Sequence, residues 1–241
     1  LLYEQGQIKF FVNNGSDENV SKFAGEHGDS AVAMGFYVEN PELALLRAIE
    51  RGASEFVAPP NSVFLGIPAI QGIGGTAIYF VAKDDAYLNR FSLLKKAEVG
   101  VGLNYIDHLT HNVNRGWMDH WADFYSKIFG FRQVRYFDID GKLTGLFSKA
   151  MTSPCGKIKI PLNESKDDKS QIEEFLRQFN GEGIQHIALT SSDIYYTIGV
   201  MRQNGAKFMD TPDTYYELID KRLPNHGEDV TKLQNNKILV D

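Results

Sequence analysis

A strand–turn–helix unit closed by Gly-Ala occurs twice in this chain, and it narrows the fold more than any other feature. Residues 31–57 and 183–209 share one order: strand, short polar turn, helix, Gly-Ala, short strand. Gly52-Ala53 closes the helix in the first copy and Gly205-Ala206 in the second. Residues 103–163 read as strand, helix and three strands. A unit of this kind has one apolar face and buries it only against another layer. The pattern predicts an α+β protein of tandem βαβββ modules forming two open barrel-like domains. The expected boundary lies between 1–102, an N-terminal domain plus connector, and 103–241.

Local signals fill in this plan. Leu2-Tyr3-Glu4 and Ile8 to Val12 flank a turn at Gln5-Gly6-Gln7. A polar stretch at 13–29 leaves room for a short helix over 19–26. Residues 31–38 predict a buried strand. Residues 42–51 predict a helix with Leu43, Leu46 and Ile49 on its core face and Gly52 as its stop. The segment 58–75, rich in Pro and Gly, reads as loop, and Gly72-Ile73-Gly74-Gly75 as a turn before a strand at 77–81. Residues 83–102 connect the halves, with Lys95-Lys96 as a solvated pair. A strand at 105–113 precedes a helix at 117–129 with Trp117, Trp121, Phe124 and Ile128 in one stripe. Strands at 132–139 and 142–149 form a hairpin across Asp140-Gly141. A strand at 157–163, a charged loop with a tip at Asp167-Asp168-Lys169, and a helix at 171–179 follow. A strand at 183–190 and a helix at 194–204 come next, and 210–229 read as irregular loop. The chain ends on Ile238-Leu239-Val240-Asp241.

Bulk properties exclude several classes. The 241 residues carry a net charge of −6 and no dense basic stripe, which argues against nucleic acid. The single cysteine, Cys155, excludes an internal disulfide framework and a cysteine-rich zinc site, and it reads as a plain loop residue. No apolar run has the length of a membrane span, and the opening residues lack the pattern of a signal peptide. A reducing cytoplasm is the expected compartment.

Two histidines occupy matching strand contexts, Ile106-Asp107-His108-Leu109-Thr110 and Ile184-Gln185-His186-Ile187-Ala188. Alternation places Ile106, His108, Thr110 and Asn112 on one face, and turns His111 to the other. If the two strands pair, both imidazoles enter one cavity. Two neutral imidazoles are two thirds of the two-His, one-carboxylate facial triad of non-haem Fe(II) oxygenases. Aligning Gly52 on Gly205 puts Ala33 opposite His186, so the early copy keeps the frame without the imidazole. His120 lies off the apolar stripe of its helix, and His27 and His226 fall in polar loops. Glu164, Asp193 and Glu217 are weak candidates for a third ligand, since each sits at a loop or helix edge. The residues alone therefore leave two readings open, a two-histidine half-site and a pair of hydrogen-bonded core histidines.

Longer runs carry a resemblance. Residues 105–113, 144–151, 160–164, 171–176, 180–186 and 211–216, together with 24–28 and 68–75, resemble the 4-hydroxyphenylpyruvate dioxygenase family in the same order over nearly the whole chain. The resemblance implies the vicinal-oxygen-chelate (glyoxalase-like) fold. It also implies Fe(II)- and O2-dependent conversion of 4-hydroxyphenylpyruvate to homogentisate and CO2, in tyrosine and phenylalanine catabolism. His108 and His186 match the family's histidine ligands. Ser148, Pro161, Asn163 and Gln171 match residues lining its substrate pocket. Pro161 and Asn163 share a strand face, whereas alternation turns Gln185 away from His186 and leaves it a supporting role behind the ligand. The family's third ligand, a Glu, is expected beyond residue 241, and the sequence reads as a partial chain. The N-terminal half is expected to be metal-free and to serve as the assembly surface of a homo-oligomer, dimer or tetramer. Two alternatives share the scaffold: 4-hydroxymandelate synthase, and a binding protein with a degenerate metal site.

Overall fold

The computed structural model describes residues 1–13, 18–84, 86–91, 100–141 and 144–240. Their contacts fall into two compact units. One holds the described residues of Leu1–Glu4, Lys9–Lys95 and Ile106–Leu189; the other holds those of Gln5–Ile8, Lys96–Tyr105 and Thr190–Asp241. The expected features at Lys95-Lys96, Lys142 and Asp241 lie outside the described residues.

The chain opens with β1 (Leu2–Gln5) and β2 (Ile8–Phe11), then α1 (Glu18–His27). β3 (Ala33–Val38) alternates instead of being buried throughout, with Met34 and Phe36 turned inward. α2 (Pro41–Glu50) starts where Asn40 Oδ1 accepts from the Leu43 backbone N–H at 2.8 Å, with Pro41 in the first turn. Its core face is not the expected one. Leu43, Leu46 and Ile49 are exposed, while Ala44, Leu45 and Ala48 pack inward. Two alanines let the helix sit close to its neighbours, which outweighs the larger area of the leucine stripe.

The segment expected as loop at 58–75 contains a strand, β4 (Ala69–Gln71), that pairs antiparallel with β5 (Ala77–Ala82). Three residues next to a proline leave too little alternation to read. β5 also pairs in parallel with β3, Phe36 opposite Phe80, giving the order β3-β5-β4. The turn between β4 and β5 requires Gly74, whose φ is 57° and whose absent Cβ would fall 1.9 Å from the Glu182 carbonyl oxygen.

The second module follows the expected strand–helix–three-strand order: β6 (Leu103–Val113), α3 (Met118–Phe129), β7 (Arg132–Asp140), β8 (Gly145–Thr152) and β9 (Lys159–Ser165). Then come α4 (Gln171–Phe179) and β10 (Gly183–Ser191), and the five strands form one sheet in the order β10-β6-β9-β8-β7. α3 buries Met118, Trp121, Ala122, Tyr125 and Ile128 and stops at Gly130, in the left-handed region at φ 70°. Trp117, expected in that stripe, is exposed because it stands before the first helical turn. Met34, Phe36 and Phe80 join Tyr125, Met151 and Leu162 in one core, so the first unit has a continuous interior across both halves of the sequence.

In the other unit α5 (Ile194–Gln203) precedes α6 (Asp213–Glu217), α7 (Ile219–Arg222) and α8 (Val230–Asn236). Tyr216, Ile219 and Leu233 form its core. The region expected as irregular loop thus contains two helices, each too short to show a 3.6-residue period. The repeat also loses its last element. Its closing strand is a lone bridge from Glu55 to Ile70 in the first copy, and residues 206–209 carry no strand in the second. No helix among the described residues is long and apolar enough to cross a membrane.

Candidate metal and substrate site

β6 and β10 lie side by side. Alternation along each strand brings His108 and His186 together, with ring centroids 5.5 Å apart and planes at 76°. The hydrogen bonds fix both tautomers. Asp107 Oδ2 accepts from His108 Nδ1 at 2.9 Å, and Gln185 Oε1 accepts from His186 Nδ1. Both partners are acceptors, so each ring carries a proton on Nδ1, which leaves Nε2 to carry the lone pair of a neutral ring. On His186 that lone pair accepts from the Thr110 hydroxyl at 2.9 Å. His186 is exposed at the surface, yet partial desolvation and, to a lesser extent, the neighbouring His108 imidazole lower its pKa.

A metal-ligating imidazole needs a lone pair on one nitrogen and a hydrogen-bond partner on the other. His108 and His186 meet both conditions and fit a divalent transition metal. Among the described residues no group of three His, Cys, Asp or Glu side chains converges. Two of the weak carboxylate candidates have other duties. Glu164 Oε2 accepts from the Met118 N–H at the start of α3, and Asp193 caps α5 by accepting from Tyr195 and Tyr196. Glu217 lies on α6, in the other unit.

The remaining site residues spread across the sheet. Asn163 on β9 pairs with Asn112 on β6 and with Ser148 on β8, a polar row on adjacent strands. Pro161, two residues along β9, pairs with Ala150. Ser148, Pro161 and Asn163 are half-buried. The next residues on β9 behave oppositely: Ile160 and Leu162 are fully buried in the core. Gln171 is the first residue of α4 and is exposed. Gln185, expected to face away, reaches the Nδ1 edge of His186. His186 and Gln185 open onto a cleft of about 560 Å³ lined also by His27, Asp29, Phe175 and Phe179.

The other histidines are engaged elsewhere. His111 is fully buried with Nε2 2.7 Å from the Tyr125 hydroxyl, and burial lowers its pKa to about 3. His27 ends α1 instead of lying in a polar loop. Its ring stacks on Phe179 at 4.4 Å, and Nδ1 donates to the Phe179 carbonyl at 2.6 Å. His226 pairs with Asp220 at 2.9 Å and is largely covered. Sequence reasoning missed Asp107. A carboxylate directly before a strand histidine was the only available signal, and strict alternation sends the two side chains to opposite faces.

Two family models match the chain: hydroxyphenylpyruvate dioxygenase, N-terminal, over residues 1–93, and the glyoxalase/bleomycin resistance protein/dioxygenase superfamily over 105–218. The 4-hydroxyphenylpyruvate dioxygenase of Legionella pneumophila is 52% identical over 242 residues, covering 100% of this chain and 69% of the relative. The chain belongs to the 4-hydroxyphenylpyruvate dioxygenase family. Hemolysin VllY of Vibrio vulnificus is 52% identical over 248 residues, covering 100% of this chain and 70% of that protein. A triple mutant of 4-hydroxymandelate synthase from Streptomyces coelicolor superposes with a TM-score of 0.77 at 20% identity, over 100% of this chain and 70% of that one. Together with the superfamily match over 105–218, that likeness shows the fold, vicinal-oxygen-chelate with mixed helices and sheets.

Proposed function

We propose that this protein is a 4-hydroxyphenylpyruvate dioxygenase, converting 4-hydroxyphenylpyruvate and O2 to homogentisate and CO2 in tyrosine catabolism. Membership of the family supports the activity. The carrying observation in the structure is the His108–His186 pair, two imidazoles with ring centroids 5.5 Å apart and both Nδ1 atoms committed to acceptors. Ferrous iron is the cofactor this donor set suits, with His108 and His186 as two of its ligands. Bound there, it would supply O2 activation and Lewis-acid binding of a 2-oxo acid.

The chain's own residues supply orientation. His108 and His186 would hold the metal through Nε2, with Asp107 behind the ring of His108 and Gln185 behind that of His186. Ser148 and Asn163 offer neutral donors and acceptors that suit a phenol or a keto acid without adding charge. Pro161 presents an apolar surface to an aromatic ring, and Gln171 contributes from the start of α4. Orienting the aromatic ring in the site and excluding water from it would be the protein's part of the catalysis. The division into an N-terminal module (1–102) and a catalytic module (103–241) is supported by the separate family matches at 1–93 and 105–218. A cytoplasmic homo-oligomer, dimer or tetramer, completes the reading.

Product analysis tests it. Purified protein given Fe(II), ascorbate, O2 and 4-hydroxyphenylpyruvate is expected to release homogentisate. Hydroxymandelate in its place would assign a synthase. Neither product, from folded protein, would assign a truncated or degenerate metal site.

A further inference from the structure

The two histidines are supported differently, and the difference points to a function for two further residues. The partner behind His186 is a neutral amide, Gln185. The partner behind His108 is a carboxylate, Asp107, which accepts from Nδ1 through Oδ2 at 2.9 Å. Its other oxygen, Oδ1, accepts from Lys159 Nζ at 2.6 Å. Lys159 is the first residue of β9 and Asp107 lies near the middle of β6, so the contact crosses between neighbouring strands. Asp107 and His108 are both about three-quarters covered, at 27% and 28% exposure, so water competes weakly for their bond.

We propose that Lys159 and Asp107 are positioning residues for His108. Lys159 holds the Asp107 carboxylate in place, and Asp107 locks His108 with its proton on Nδ1 and its lone pair on Nε2. A carboxylate behind an imidazole also strengthens the ring as a donor, because it stabilises the positive charge that ligation induces. The lysine moderates this effect and prevents Asp107 from turning toward the metal as a competing ligand. His108 is therefore the stronger and more rigid of the two imidazole donors. This inference rests on the reading of His108 and His186 as metal ligands.

The test uses Asp107→Asn, Lys159→Met and the double variant. The Asp107→Asn side chain keeps an acceptor for Nδ1 but loses the charge and the ion pair with the lysine. Fe(II) affinity is measured anaerobically by titration with the metal alone, and Co(II) serves as a spectroscopic probe. The expected loss in D107N is about tenfold to a hundredfold in affinity, as for other outer-shell partners of ligating histidines. The Co(II) d–d spectrum is expected to shift, with the thermal midpoint little changed. K159M is expected to lose less. The double variant is expected to bind no more weakly than D107N, because the lysine acts only through the carboxylate. Losses that multiply in the double variant would overturn the relay, and wild-type affinity in D107N would overturn the whole proposal. Should D107N fail to fold, the wild-type protein still decides. ¹⁵N-histidine NMR of the Zn(II)-loaded form is expected to show His108 protonated on Nδ1, and a proton on Nε2 would overturn the proposal. Failure of the wild type to bind any of these metals would remove the metal-site reading itself, whereas tight wild-type binding with an unaffected D107N removes only the relay.

Discussion

His111 shows how one buried imidazole sets the acid limit of the fold. It is fully buried beside Tyr125, and burial lowers its pKa from 6.5 to about 3. Burial likewise raises the pKa of Tyr125, so the phenol keeps its proton. Between pH 6.5 and 3 the unfolded chain takes up a proton that the folded chain refuses. Stability therefore falls as the pH drops through that window. At pH 5 the loss from this group alone is about 2 kcal/mol. Urea unfolding at about pH 7 and about pH 5 checks it: His111→Phe is expected to lower stability at neutral pH yet to remove about 2 kcal/mol of the pH dependence. An unchanged slope would mean that His111 is not neutral in the fold. Its placement was legible in the sequence, because alternation along β6 separates His111 from His108 and Thr110. The same alternation named the His108–His186 pair. The support behind that pair was not legible, because Asp107 and Gln185 reach the edge of the adjacent ring by side-chain torsions that no periodicity encodes.

At the scale of elements, α4 offers a test of the role proposed for Gln171. Ser170 caps it, its Oγ accepting from the Glu173 N–H at 3.2 Å, and a second hydroxyl, Ser165, lies 2.6 Å away. Gln171 follows as the first helical residue. Ser170→Ala removes the cap at a cost of about 1 kcal/mol. The first turn frays, and Gln171 sits in that turn. The expected result is a lower thermal midpoint together with a raised KM for 4-hydroxyphenylpyruvate, while Fe(II) affinity is unchanged. An unaltered KM would show that Gln171 does not serve the substrate. Elements differ in how well they announce themselves. α4 was readable because its serine cap, acidic first turn and apolar Ile172, Leu176 and Phe179 agree. α2 had a readable span but a misread face, since Leu43, Leu46 and Ile49 are a better apolar stripe than Ala44, Leu45 and Ala48. Only tertiary crowding selects the alanines. β4, α6 and α7 are shorter than the period that would reveal them.

At the scale of the molecule, a repeat in the sequence suggests two separable domains, while the packing joins the two halves. Phe36 on β3 is 5% exposed and meets two rings of the second half, Phe129 edge-on at 5.3 Å and Phe131 at 6.3 Å. Phe80 lies 6.1 Å from Phe129, and α2 packs on α3. Open sheets with one apolar face each satisfy that face by sharing it, so the modules bury more together than either could alone. The two tryptophans, Trp117 and Trp121, both lie in the second half, and Trp121 is part of the shared core. They provide a test from within the chain. Phe36→Ala creates a cavity in the first half at a cost of about 3–5 kcal/mol. If the core is one cooperative body, tryptophan fluorescence reports that loss in full, as a lower denaturant midpoint with an unchanged slope. If the halves unfold separately, the tryptophan transition stays where it is and only the far-ultraviolet signal divides into two steps. The shared core predicts the first outcome. It also predicts that Phe36→Ala weakens iron binding when the protein is held near its unfolding midpoint, because β6 and β10 carry the histidines on a sheet whose covering core extends into the first half.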